Sequence, residues 1–223
     1  TGTNDKSEIN MYIGARYGLC CPNNASYREY VLKQLQELCT TYDFEGMFLD
    51  MTYWPAICYC SACKDRYEKE IGGEMPRIVN WSDPKWVEFQ RKREEWIVEF
   101  AHFATDCVKQ VNPKITIEHQ YSTALSGWKA GVTEDLTYAS DYAGGDLYGG
   151  FTQQSFACKL YHNLTVNQPF EYMTSRCEPN LRYHTSTKSK QSLELHNYIS
   201  LAHNGAFLFI DAIDPVGTLN TDL

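Results

Sequence analysis

No stretch of this chain stays apolar for long. The longest unbroken apolar run is Ala206 to Ile210, far short of the roughly 20 residues a membrane-spanning helix needs, so no membrane partner is expected. Runs of Lys or Arg are missing too, and the formal net charge is −8. Phosphate binding needs a clustered cationic face, so a nucleic-acid partner is not expected. The amino-terminal residues lack a basic segment followed by an apolar stretch, and no signal peptide is expected there. An even complement of cysteines is also missing: with nine, a disulfide framework closed within one chain is excluded. Internal repeats and low-complexity linkers are absent, and residues 1–223 read as one domain.

What is present suits a sizeable buried core, with 43% hydrophobic residues. Short apolar runs alternate with longer helical stretches, the pattern of βα units around a parallel sheet. The strand candidates are Ile9–Ala15, Gly46–Asp50, Lys114–Ile117 running into Glu118-His119, Tyr138–Leu147, Pro169–Thr174 and Ala206–Asp211. A helix is expected after Ser26-Tyr-Arg-Glu29, which has the form of a capping box, with Tyr27, Tyr30, Val31, Leu35 and Leu38 as its apolar stripe. A long helix is expected from Asp83-Pro84 to Asn112-Pro113, and another from about Ser189 to His203. Six strands in order predict a (β/α)8 TIM-type barrel lacking its first two strands, since eight strands take about 250 residues. An open six-stranded sheet is the rival architecture.

In such a barrel the chemistry sits at the carboxyl ends of the strands. Acids recur there: Asp50, Glu118, Asp141 or Asp146, Glu171 and Asp211. Paired carboxyls at strand ends are what glycoside hydrolysis uses, one as proton donor and the other as nucleophile or base. Against this stands the reading that single acids cap helices or pair with Arg. Trp54 and Trp128 are candidates for stacking on a sugar ring; Trp86 and Trp96 fall on the long helix's core stripe. Glu118, His119, Asp146 and Arg176 complete the candidate substrate-binding set, with His184 and His203 as weaker histidine candidates.

Cys58-Tyr-Cys60-Ser-Ala-Cys63 places three thiols on one loop. With Cys20 or Cys21 they can surround a zinc ion in a closed, structural site; three ordinary reduced cysteines are the alternative. Cys39, Cys107, Cys158 and Cys177 read as packing residues.

Several of these segments are similar to known glycosidases. Pro169-Phe-Glu-Tyr-Met-Thr-Ser175 followed by the stretch from His203 to Gly217 resembles the end of α-L-fucosidase barrels, and Gly46-Met-Phe-Leu-Asp50 is similar to the strand that carries their nucleophile. The resemblance covers nearly the whole chain and includes gut-bacterial relatives with a Cys-rich loop. It implies Asp50 as nucleophile and Glu171 as general acid/base. Phe170 stands where those barrels carry Trp, and Met51 where they mostly carry Gly. The segment from Gly14 to Glu29, with the later Cys loop, resembles zinc-containing bacterial β-galactosidases. That likeness implies Cys21, Cys58, Cys60 and Cys63 as ligands of a structural zinc. The expectation is thus a retaining exo-glycosidase, an α-L-fucosidase first and a β-galactosidase second, acting on an oligosaccharide or glycoside without a catalytic cofactor. A homo-oligomer is allowed, in the bacterial cytoplasm, or in the periplasm where an upstream signal has been removed. A non-catalytic carbohydrate-binding barrel or inactive fragment is the reading from another class.

Overall fold

A computed structural model describes residues 18–178, 183, 186–213 and 216–219. The strand expected at Ile9–Ala15, and His184, lie outside these residues. Helix α1 (Ala25–Thr41) leads into strand β1 (Gly46–Leu49), followed by α2 (Ser61–Glu70), α3 (Pro84–Val111) and β2 (Thr116–His119). Three 3-10 turns precede α4 (Phe151–Leu164), β3 (Glu171–Ser175), α5 (Lys190–Ala202) and β4 (Ala206–Ile210).

Helix α3 starts as its sequence dictates. Asp83 accepts from the Lys85 N–H and Pro84 occupies the first turn, a cap worth about 1 kcal/mol. Its stripe of Trp86, Phe89, Trp96, Ile97 and Ala101 is buried, each large side chain contributing roughly 1.5–3 kcal/mol by leaving water. Helix α1 begins earlier than the capping-box pattern suggests. Asn24 is the cap, accepting from the Tyr27 N–H at 2.9 Å, so Ser26 and Glu29 lie inside the helix. Of its expected stripe only Leu35 is fully buried, while Tyr30 and Leu38 are exposed.

Strands β1 and β2 pair in parallel, as do β3 and β4. Between the pairs, Gly144 bridges to Gln120 and Asp146 bridges to Met173, both in parallel. The Tyr138–Leu147 candidate is therefore no regular strand: it is a 3-10 turn over Glu134–Ala139 and then two single bridges. The physical reason is local. Gly145 has φ 151°, and a Cβ there would stand 2.8 Å from the Ser122 nitrogen, a conformation and an approach that only glycine allows. The described residues thus form a partial, curved parallel βα array with no closed barrel. Two helices on the connections, α2 and α4, are not among those expected from the sequence.

Strand parity divides the array. On one side, Met47 and Leu49 of β1, Ile117 of β2 and Phe170 and Tyr172 at β3 pack under α1, α3 and α4. On the other side, the register brings Phe48 beside Glu118, Gln120 beside Gly144, Asp146 beside Met173 and Glu171 beside Ala206. That side carries the acids.

Candidate active site

The acid-bearing side encloses a cavity of about 510 Å³. Asp50, Glu118, Asp146 and Glu171 line it with Gln120, Tyr142 and Tyr148, and Phe48, Met173, Leu208 and Ile210 supply apolar walls. Extending the register, Asp50, Gln120, Gly144 and Glu171 fall on one row across four neighbouring strand segments. The acids differ in depth. Asp50 is exposed at the carboxyl end of β1, Asp146 and Glu171 are half-buried, and Glu118 is 2% exposed.

Asp146 is held by three donors: Gln120 Nε2 and the Tyr148 hydroxyl make short hydrogen bonds to its two oxygens, and the Ser122 hydroxyl lies 3.2 Å from Oδ1. The other three acids are held less firmly. Although Asp50 is exposed as a residue, desolvation by the surrounding cavity walls raises its carboxyl above the ordinary range, and the Met51 N–H donating to its Oδ1 at 2.8 Å works the other way. Burial pushes Glu118 up to about 9, and the Glu171 charge beside it adds to the effect. Burial also raises Glu171. Oε1 of Glu118 and Oε1 of Glu171 have no hydrogen-bond partner among the described residues. Among the described residues lining the cavity, none is Lys, Arg or His. Four carboxyls without a cation cannot all ionise in a shielded pocket at low energetic cost.

Met51, directly after Asp50, has φ 61°, a conformation that costs a non-glycine residue of order 1 kcal/mol. It bends the chain away from β1 just past the carboxylate.

Several expected site residues belong elsewhere. His119 follows Glu118 on the strand and therefore faces the helices. Its ring nitrogens meet the Thr52 and Thr105 hydroxyls, each at 2.9 Å, and burial lowers it to about 4, so it is a neutral packing residue. Trp54 is 3% exposed, its indole N–H donating to the Arg93 carbonyl at 2.7 Å. Trp128 stands edge-on to Trp81 and Trp86 in an aromatic cluster at the start of α3. Arg176, 2% exposed, ion-pairs with Asp211 and donates to the Thr187 hydroxyl at 2.7 Å. Asp141 is likewise structural, bonded to Lys109 and to the Ile117 N–H. Of the residues expected to form the site, then, Asp50, Glu118, Asp146 and Glu171 come together. Gln120, Tyr142 and Tyr148 join them, and no motif marks these three in the sequence. Two-residue spacing from Glu118 and from Asp146 is the signal that could have found Gln120 and Tyr148.

The cysteines form a separate centre. Ligand sulfurs of Cys21, Cys58, Cys60 and Cys63 all lie within 4.8 Å of one another, with Cys21 and Cys63 at 3.4 Å. A tetrahedral zinc with bonds of about 2.3 Å needs sulfur separations of about 3.8 Å. The all-sulfur donor set therefore fits a thiophilic ion such as zinc with small adjustment. Cys20 is exposed and outside the group. Hydrogen bonds from Cys21 and Cys63 hold Cys58 far below the usual thiol range, while contact with Cys58 pushes Cys21 up and contacts with Cys21 and Cys58 push Cys63 up. An ion would replace the shared protons.

The fold is similar to part of several solved glycoside hydrolases. The chain is similar to a β-galactosidase from Bacillus circulans sp. alkalophilus at 17% identity and TM-score 0.66, over 91% of this chain and 36% of that one. It is similar to α-L-fucosidase isoenzyme 2 from Paenibacillus thiaminolyticus at 18% identity and TM-score 0.64, over 90% and 28%. A GH42 β-galactosidase, Gan42B of G. stearothermophilus, matches at 13% identity and TM-score 0.67, over 85% and 34%. The chain spans about a third of the length of these solved proteins. No family model and no curated protein matches it.

Proposed function

We propose that this chain is the acid-bearing part of a retaining exo-glycosidase, with an α-L-fucoside as first substrate class and Asp50 and Glu171 as the working pair. The observation that carries the reading is the placement of both on one row of one face, around a cavity with no Lys, Arg or His among its described lining residues. In the reaction an Asp50 oxygen attacks the anomeric carbon. The bond to the leaving oxygen breaks with its electron pair, and that oxygen takes a proton from Glu171. Water then attacks the glycosyl–Asp50 ester and gives its proton to Glu171. The sugar leaves and the Asp50 carboxylate is restored. The raised Glu171 carboxyl suits a group that must hold a proton near neutral pH. The half-exposed Glu171 also reaches the cavity more readily than Glu118, which is buried at its base.

A β-galactoside is the second reading, favoured by the four-cysteine group and the resemblance of its segments to zinc-containing β-galactosidases. In both readings a zinc at the cysteines is structural. It would fix the loop that follows Asp50 and take no part in bond cleavage.

Glu171→Gln tests the acid/base role. Cleavage of glycosides with poor leaving groups should fall by about 10²- to 10⁴-fold, and cleavage of activated aryl glycosides far less, because protonation matters most for a poor leaving group. Parallel assays with p-nitrophenyl α-L-fucoside and p-nitrophenyl β-D-galactoside decide between the two sugars. An equal slowing on all substrates would remove Glu171 from the acid/base role. No turnover of any glycoside, with sugar binding retained, would favour a non-catalytic binding barrel.

A further inference from the structure

The sugar chemistry proposed above needs two carboxyls, yet the cavity holds four, and Glu118 is the one it leaves unexplained. Glu118 and Glu171 lie on either side of Gly144, the residue that bridges the two strand pairs. A Cβ at Gly144 would stand 2.2 Å from Glu118 Oε1 and 3.0 Å from Glu171 Cβ. Glycine at this position is therefore what lets the two side chains occupy adjoining space. Both Oε1 atoms are buried without a donor among the described residues, and two adjoining carboxyls can satisfy each other only if one of them carries a proton to donate. Tyr142 lines the same cavity beside them. The remaining titratable groups facing the pair are Asp50 from β1, and Asp146 with its partner Tyr148 from the bridging segment. All are acids or phenols, so none of the described residues lining the cavity supplies a cation against a second negative charge.

We propose that Glu118 and Glu171 share a single proton across neutral pH, with Glu118 as a buried positioning residue that keeps Glu171 supplied with the proton it delivers. The proposal rests on reading this cavity as the sugar site, but the shared proton itself is independent of it. Glu118 is 2% exposed whereas Glu171 is half-buried, so Glu171 is the one of the two that a sugar oxygen can reach. Glu118 acts through its partner. As the glycosidic bond breaks, the leaving oxygen takes the proton from Glu171, which recovers it from Glu118, so the pair is left doubly ionised. That dianion is the stronger base for the water that attacks next, and the water's proton restores the singly protonated pair. No co-reactant beyond water is needed.

Linkage supplies the test. A carboxyl that is raised in the folded state stays protonated after its unfolded counterpart ionises, so stability falls as pH rises from the ordinary carboxylate range, about 4.3, to the folded value, about 9 for Glu118. The melting temperature of the full chain should therefore drop steadily between pH 5 and pH 9. Glu118→Gln keeps the shape and one donor and removes the proton, so it should flatten that slope. Glu171→Gln should flatten it as well, and the double variant should add little to either single one. Infrared spectra at neutral pH should show one protonated-carboxyl band that Glu118→Gln abolishes. With p-nitrophenyl glycosides, Glu118→Gln should move the basic limb of kcat/KM down by at least two pH units and leave KM near its original value. If the melting slope and the infrared band are the same in wild type and Glu118→Gln, the shared proton is refuted. If both change as expected but no glycoside is turned over, the shared proton stands and the glycosidase reading fails.

Discussion

Two clusters of four like groups lie in this chain, and they manage charge differently. Asp50, Glu118, Asp146 and Glu171 are spread across four parallel segments and contribute to one cavity wall. Cys21, Cys58, Cys60 and Cys63 converge within 4.8 Å. Among the described residues these carboxyls do not gather closely enough to hold one ion, and Glu118 and Glu171 adjoin at Gly144. Their excess charge is relieved by protons and by the donors around Asp146. The thiols are close enough for a single thiophilic cation, and the loop that holds them packs on α3 beneath Ile57, Tyr59 and Tyr67. A site that must exchange protons with a substrate benefits from groups held apart and imperfectly satisfied. A site that only needs to brace a loop benefits from closure.

The largest expected effect falls on the first cluster. Asp50→Ala should abolish glycoside turnover with the fold intact by circular dichroism, since among the described residues the exposed carboxylate at the end of β1 holds only the Met51 N–H. Azide should restore cleavage of activated glycosides and yield a glycosyl azide of inverted configuration. Near-normal turnover without azide would remove Asp50 from the mechanism.

At the second cluster the sign of the comparison reverses, with stability lost first and chemistry only as a consequence. Metal analysis should find about one zinc per chain. Cys60→Ser should release it and lower the melting temperature, whereas Asp50→Ala should leave both unchanged. Zinc-free protein of unaltered stability would defeat the structural-site reading.

The smallest effect lies at the junction between them. Met51→Val should cost about 1–2 kcal/mol in chemical denaturation, because a β-branched residue tolerates φ 61° poorly. Met51→Gly should be neutral or slightly stabilising. Equal stability of all three proteins would show that this backbone carries no strain.

Periodicity and punctuation make much of this molecule legible in advance. Asp83-Pro84 and the aromatic stripe mark α3, and apolar runs mark β1, β2, β3 and β4 within a residue or two, although Glu171, expected at a strand's carboxyl end, instead opens β3. The Cys-x-Cys-x-x-Cys loop marks the thiol centre. These are local features, set by helix period, capping and ligand spacing. Three things were decided only when the strands paired. Side chains alternate across a sheet, so register alone placed Glu118 in the cavity and its neighbour His119 under the helices. Arg176 and Asp211 each have the chemistry of a site residue, and packing turned them into each other's partner. Gly144, unremarkable in sequence, became the contact point of two glutamates 53 positions apart, because a parallel ladder brings together residues that no local pattern can connect.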